Sequence, residues 1–152
     1  QGIVTSDILI PPKEIKTEGT LLDLYEKEWI IDLFKKYAEF SDKAREMIAK
    51  GEIAKNYFQP INFDQRDDLR FVSHLEKYMR VHPDKSILVI RDALEHCFFD
   101  KLSKDEDRVA LEKVLDLIKL ETDMNGISSI KNKSLIKTIQ KRWFVVVDEN
   151  KL

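Results

Sequence analysis

The amino-acid sequence predicts an all-α fold, a single domain of about six helices packed as antiparallel hairpins. Its 152 residues include only four glycines and four prolines, which leaves little turn chemistry for a β-sandwich or a β-barrel. Leu, Lys, Glu, Ile and Asp are abundant, a composition that favours helix. Hydrophobic residues make up 43% of the chain, which is enough apolar material for one core.

Residues 1–19 are predicted to form an extended N-terminal arm laid over the domain. Pro11-Pro12 and short apolar runs without a helical period indicate that no regular helix forms there. Gln1-Gly2 is typical of the remnant that a protease cleavage site leaves, so we expect the chain to be a piece of a longer protein.

The helical domain is predicted over residues 20–142, and it opens with two helices. Thr20 can cap the first helix, whose apolar residues recur at intervals of three and four as far as Phe40. Ser41-Asp42 can cap the second helix, which stops near Gly51. The apolar pattern resumes after this glycine, so the sequence leaves the geometry of the break open.

Polar caps mark the next two helices. Asp64 can cap a helix that ends at His82-Pro83, because the residue before a proline disfavours helix. Asp84 can cap the following helix, which places its apolar residues on one face as far as Phe98. Phe98 is expected to be buried against three apolar residues of the next helix, Leu111, Val114 and Leu115.

The C-terminal part is predicted to contain two more helices and one short strand. A capping box of Ser103 and Glu106 indicates a helix over 109–120, which should form an antiparallel hairpin with the helix before it. Residues 128–142 are predicted to form the last helix. Residues 143–152 should form a short strand and a tail, and the strand needs a partner in the N-terminal arm or in chain outside this sequence.

Charge and cysteine content set limits on location and partners. The 26 basic and 28 acidic residues give a net charge of -2, so no global field draws the chain onto nucleic acid or an anionic membrane. The single cysteine, Cys97, cannot form an internal disulfide and suits a reducing compartment, so we expect a cytoplasmic location. No run approaches the roughly 18 apolar residues of a spanning helix, so no membrane span is expected.

The sequence predicts no catalytic residue, no cofactor and no metal site, so we do not expect an enzyme. His74, His82 and His96 match no helical metal pair, and one cysteine cannot complete a zinc ligand set. His96 and Cys97 point about 100° apart on a helix, so they do not form a nucleophile and its base. The acidic run at 105–107 lies at a helix start, where negative charge complements the helix dipole.

A basic stripe on the last predicted helix offers one alternative function. If the strand after that helix acts as a wing, the pair would resemble a winged-helix nucleic-acid binder. Lys133, Lys137 and Lys141 are spaced by four, as on the solvated face of any surface helix opposite an apolar face, so nucleic acid is the less favoured partner. The stripe consists of Lys131, Lys133, Lys137, Lys141 and Arg142.

Three segments and a following pair of helices carry a family resemblance. Residues 15–22 lead through Gly-Thr into an apolar helix, and residues 29–40 form an aromatic and apolar run. Residues 87–100 end in Glu-His-Cys-Phe-Phe-Asp, and the segments 109–118 and 135–142 follow as two more helices. In this order they resemble the Ras exchanger motif, the helical domain that precedes the catalytic domain in many Ras-family guanine nucleotide exchange factors.

The sequence departs from the family pattern at named positions. Ala93 stands where the family often has tryptophan, and the segment between Thr20 and Trp29 is shorter than usual. Lys131 falls near a tryptophan through which one member binds a second Ras, so the resemblance does not imply that second site.

The resemblance implies a non-catalytic module that packs against a Ras-family exchange domain of the same or another chain and stabilises it, with a small GTPase as a further candidate partner. The candidate contact residues are aromatic residues that flank the predicted helices and do not belong to their apolar periodicity. Phe99 is a further candidate, because on a helix it would point about 100° away from Phe98. A free-standing helical adaptor remains a second alternative. The candidates are Tyr57, Phe58, Phe99, Trp143 and Phe144.

Overall fold

The computed structural model describes residues 21–120, 129–131, 134 and 137, and this part of the chain is all-α, as predicted. The predicted N-terminal arm and the strand at 143–147 lie outside the described residues. Three short 3₁₀ turns occur at Leu21–Asp23, Pro83–Lys85 and Phe99–Lys101. The four α-helices of the described part are α1 (Lys27–Ala49), α2 (Gln65–Val81), α3 (Ser86–Cys97) and α4 (Asp105–Ile118).

Helix α1 is one continuous helix where the sequence predicted two. The predicted break at Ser41-Asp42 is wrong, because the buried face of the helix continues across it. Its buried residues recur at intervals of three and four, so the apolar stripe outweighs a possible cap. The residues of this stripe are Leu33, Tyr37, Phe40, Ala44 and Met47.

The start of α1 is also later than predicted, because the chain before it pairs with a distant segment. Tyr25 forms an antiparallel β-bridge with Ile130. The Glu26 amide donates to the Ser129 carbonyl at 2.7 Å, and the Lys131 amide donates to the Leu24 carbonyl at 2.9 Å. Helix therefore begins at Lys27 and not at Thr20, and residues 129–131 do not belong to the helix predicted from 128.

Helices α2 and α3 form the most extensively packed pair. The predicted cap of α2 is confirmed, because the Asp64 side chain accepts a hydrogen bond from the Arg66 amide at 2.9 Å. The Asp67 side chain in turn accepts a hydrogen bond from the Asp64 amide at 2.9 Å. Asp84 does not cap α3, because it lies inside the 3₁₀ turn that joins the two helices.

Helix α4 packs most closely against α1. Two ion pairs also align it antiparallel to α3, as predicted, with Arg91 Nη1 2.9 Å from Glu112 Oε2 and Arg108 Nη2 3.4 Å from Glu95 Oε2. The predicted capping box is wrong, since α4 begins at Asp105 and its cap residue Lys104 forms no side-chain cap bond.

An aromatic cluster lies at the centre of the core. The Phe98 ring centroid lies 5.9 Å from Tyr37, 5.0 Å from Phe40 and 4.7 Å from Phe63. Tyr37 in turn stacks on Phe71 with 3.9 Å between centroids. Burial of Phe98 is thus confirmed, and its ring contacts come from α1 and from the loop between α1 and α2. The predicted neighbours, Leu111, Val114 and Leu115, are buried in the same core.

Candidate interaction site

The connection between α1 and α2, residues 50–64, is named here the Phe58 loop. It leaves α1 through Gly51, whose φ of 72° is in the left-handed region that favours glycine. Ala54 and Asn56 also have positive φ, at 59° and 61°. Asparagine tolerates this conformation, whereas for alanine it costs about 1 kcal/mol. Contacts elsewhere in the loop must offset this strain.

Asp107 of α4 provides the main anchor of the Phe58 loop. Its Oδ2 accepts a hydrogen bond from the Ala54 amide at 3.1 Å and another from the Tyr57 hydroxyl at 2.7 Å. The same hydroxyl accepts from the amides of Ser103 at 3.0 Å and Lys104 at 3.2 Å. Tyr57 therefore ties the loop to Asp107 in the first turn of α4 and to the two residues that precede this helix.

Buried side chains and carbonyl contacts fix the ends of the Phe58 loop. Ile53 and Phe63 are buried in the core. Arg45 Nε donates to the Phe63 carbonyl at 2.6 Å, and Lys101 Nζ donates to the Asn62 carbonyl at 2.9 Å. With both ends and the centre bonded, the loop has little conformational freedom to lose when a partner binds.

Phe58 is the exposed tip of this anchored loop. Its side chain is 99% exposed, the highest exposure of any large hydrophobic residue in the described part of the chain. An aromatic ring that gives the core nothing and is held by a preorganised backbone has the properties of a binding anchor, because buried aromatic residues dominate the energy of many protein interfaces.

The structure corrects the prediction for Phe99. Its side chain is only 1% exposed, and its ring centroid lies 6.5 Å from Phe40 and 4.9 Å from the Arg91 guanidinium. The prediction assumed that the helix continues, but α3 ends at Cys97 and Phe98 has a non-helical φ of -126°. The change in backbone direction turns both phenylalanines inward, so Phe99 offers no surface to a partner.

The other predicted contact residues have different positions. Tyr57 is half-buried, and its hydroxyl is used within the chain, with the Lys104 ammonium 5.6 Å from its ring centroid. Trp143 and Phe144 lie outside the described residues. The structure therefore brings together Tyr57 and Phe58 on one loop, with Phe58 as the exposed member.

The reactive side chains of the described residues are held in internal contacts. Burial raises the pKa of the Cys97 thiol to about 12, so this thiol stays protonated at neutral pH and is a poor nucleophile. His96 faces two carboxylates, with Nε2 3.4 Å from Asp92 and Nδ1 3.5 Å from Asp100. Among residues 21–120, 129–131, 134 and 137, no three His, Cys, Asp or Glu side chains are arranged to hold a metal ion.

Sequence reasoning missed the role of Asp107. The sequence predicts for the acidic run at 105–107 only that it complements the helix dipole, yet Asp107 is buried and accepts two hydrogen bonds from the Phe58 loop. A signal was present, because Asp107 lies four and seven residues before Leu111 and Val114, on the buried face of α4. A carboxylate on a buried face needs polar partners, which must come from another element.

Comparisons with protein-family models, with curated proteins and with solved structures give no match for this chain. No helix of the described part is both long enough and apolar enough to cross a bilayer.

Proposed function

We propose that this chain is a non-catalytic helical module that docks through Phe58 onto a Ras-family guanine nucleotide exchange domain, of the same or another chain, and stabilises it. The observation that carries the docking surface is the full exposure of Phe58 on a loop that Tyr57, Asp107 and two buried side chains hold in place. Such a module acts through packed surface, and the centre of an obligate interface is apolar.

The identity of the partner rests on the resemblance of the sequence to the Ras exchanger motif. The supporting features are the order of the segments 15–22, 29–40 and 87–100 and the two segments that follow them. Phe99 is buried and cannot contact a partner. Within residues 87–100, the family resemblance is therefore supported only by the order of the sequence segments. The described helices agree with an all-α module of this kind.

The nucleic-acid alternative has a weaker basis in the described residues. Of the basic stripe, Lys131 and Lys137 are described, and both are exposed. The Lys131 ammonium donates to the Leu22 carbonyl, which holds its charge against the N-terminal turn. A mobility shift with DNA or RNA that weakens steeply as salt rises would favour this alternative over the exchange-domain proposal.

The test measures binding of the 152-residue chain to purified Ras-family exchange domains that lack their own helical module. Titration calorimetry gives the affinity, and release of labelled GDP from the GTPase reports exchange activity. Phe58→Ser should weaken the complex about tenfold or more, because it removes a central aromatic anchor. Leu117→Ser is the matched control, since Leu117 is 82% exposed but lies on α4 and outside the loop.

Phe58→Ser should leave the free energy of unfolding within about 0.5 kcal/mol of the parent value, because a fully exposed side chain adds nothing to the core. If Phe58→Ser and Leu117→Ser bound the exchange domain with equal affinity, the Phe58 loop would be ruled out as the contact surface. Absence of binding to every exchange domain, together with tight Phe58-dependent binding to another protein, would favour the adaptor alternative.

A further inference from the structure

A second surface lies on the hairpin of α2 and α3, and it shares no residue with the Phe58 loop. It is an open groove of about 470 Å³. One wall is a stripe of α2, and the other is the end of α3. The lining residues are Leu69, Arg70, Ser73, His74, Lys77, Tyr78, His96 and Cys97. We name this surface the α2–α3 groove.

The lining of the α2–α3 groove is basic. It contains Arg70, Lys77 and two imidazoles, and no carboxylate among the described residues. Arg70 Nη1 lies 3.6 Å from Asp67, a carboxylate that Lys101 already binds at 2.7 Å, so the Arg70 guanidinium keeps donors for a ligand. Lys77 forms no ion pair within the described part, and its ammonium lies 5.4 Å from the Tyr78 ring centroid.

The two histidines of the lining both contact Asp92, a buried carboxylate that is not itself a lining residue. Asp92 Oδ2 lies 2.9 Å from His74 Nε2 and 3.4 Å from His96 Nε2. The contact of Asp92 with His74 has ion-pair distance but not hydrogen-bond geometry, so His74 Nε2 is buried without a hydrogen-bond partner among the described residues.

We propose that the α2–α3 groove binds an extended acidic segment of a partner protein. The cationic ends of the groove, Arg70 and Lys77, are two helical turns apart, a rise of about 10 Å. This length exceeds a single phosphate ion but matches two carboxylates three residues apart on an extended chain in the polyproline II conformation, where such side chains lie on the same side about 9 Å apart. Leu69 is exposed at the rim, and Tyr78 adds an aromatic surface for the intervening side chains.

The shape of the groove, as well as its charge, favours a peptide as the ligand. A concave surface between two helices fits a single extended chain, and in the polyproline II conformation every third side chain faces the basic wall. The overall charge of -2 gives no general attraction for anions, so binding must come from this local cluster. This proposal does not depend on the exchange-domain function.

The test uses the full 152-residue chain and fluorescence polarisation. The probe is a short fluorescein-labelled peptide with glutamates three residues apart, and the reference is the same peptide with glutamines. The glutamate peptide should bind about tenfold more tightly, and its affinity should fall as salt rises. Arg70→Gln with Lys77→Gln should abolish this preference.

The matched control is Lys35→Gln with Lys113→Gln, which removes the same charge from exposed positions on α1 and α4. This control should bind the glutamate peptide as the parent does, and circular dichroism should show both double variants folded. Equal binding of the two peptides, an equal loss in the control, or binding to phosphatidylserine vesicles without binding to the peptide would each overturn the proposal. Phe58→Ser should leave peptide binding unchanged, which separates this surface from the Phe58 loop.

Discussion

Two consecutive phenylalanines, Phe98 and Phe99, are both buried, because α3 ends just before them. In a continuing helix, neighbours point about 100° apart, and one of the pair would face solvent. Here Phe98 has φ -126° and ψ -59°, and Phe99 begins a 3₁₀ turn. The turn folds Phe99 against Phe40 of α1 while Phe98 fills the centre of the aromatic cluster.

Phe98→Ala and Phe99→Ala should both destabilise the domain by about 3 to 5 kcal/mol, because each removes a buried ring and leaves a cavity. Phe58→Ala serves as the matched control, since its ring is almost fully exposed. Urea unfolding of the three variants gives the comparison. If Phe99→Ala behaved like Phe58→Ala, the burial of Phe99 described here would be wrong.

At this scale the sequence indicated the Phe58 loop but not how the loop is held. Tyr57 and Phe58 were selected because they flank helices and do not repeat within them, and the structure places Phe58 fully exposed. The bonds from the loop to Asp107 join residues about fifty positions apart in the chain. No local pattern encodes such a pair, because it depends on which helices meet in the folded molecule.

Among the helices, α1 shows how apolar periodicity and capping residues compete. Ser41 and Asp64 are both good N-cap residues. Asp64 follows a segment without helical period and forms a capping box. Ser41 lies within a stripe of buried residues, is itself buried, and becomes part of the helix interior. Helix ends are therefore predictable from a cap only where the apolar stripe also stops.

Alanine substitution separates the two roles. Ser41→Ala should leave stability unchanged or raise it by about 0.5 kcal/mol, because alanine has the higher helix propensity in a helix interior. Asp64→Ala should lower stability by about 1 to 2 kcal/mol, because it removes a true N-cap. Chemical unfolding of both variants gives the two values. A loss of about 1 kcal/mol in Ser41→Ala would indicate that a helix begins there, as the sequence alone suggested.

For the whole molecule, the helix pairing was harder to predict than the helices themselves. The sequence favours contact between successive helices, and α2 with α3 follows that rule. Helix α4 lies antiparallel to α3 but packs more closely on α1, because the buried faces of α1 and α4 join one core. Pairing of helices that are distant in the chain depends on how their side-chain ridges fit, which periodicity does not reveal.

The pH dependence of folding is a property of the whole molecule, and His74 should dominate it between pH 7.5 and 5.5. Burial lowers the pKa of His74 to about 4, although the nearby Asp92 carboxylate acts in the opposite direction. The unfolded chain has the ordinary histidine pKa of about 6.5, so it binds the proton first. The contribution of His74 to stability is therefore fully present above about pH 6.5, the unfolded pKa, and is lost as the pH falls towards 4.

We expect the free energy of unfolding to be about 1 kcal/mol lower at pH 5.5 than at pH 7.5 because of His74. Burial also lowers the pKa of His82, so this group adds to the loss in the same direction. Urea unfolding at both pH values, in the parent, His74→Gln and His82→Gln, separates the contributions. His74→Gln should remove most of the difference and His82→Gln a smaller part, whereas an unchanged difference in His74→Gln would show that this imidazole is not held neutral by the fold.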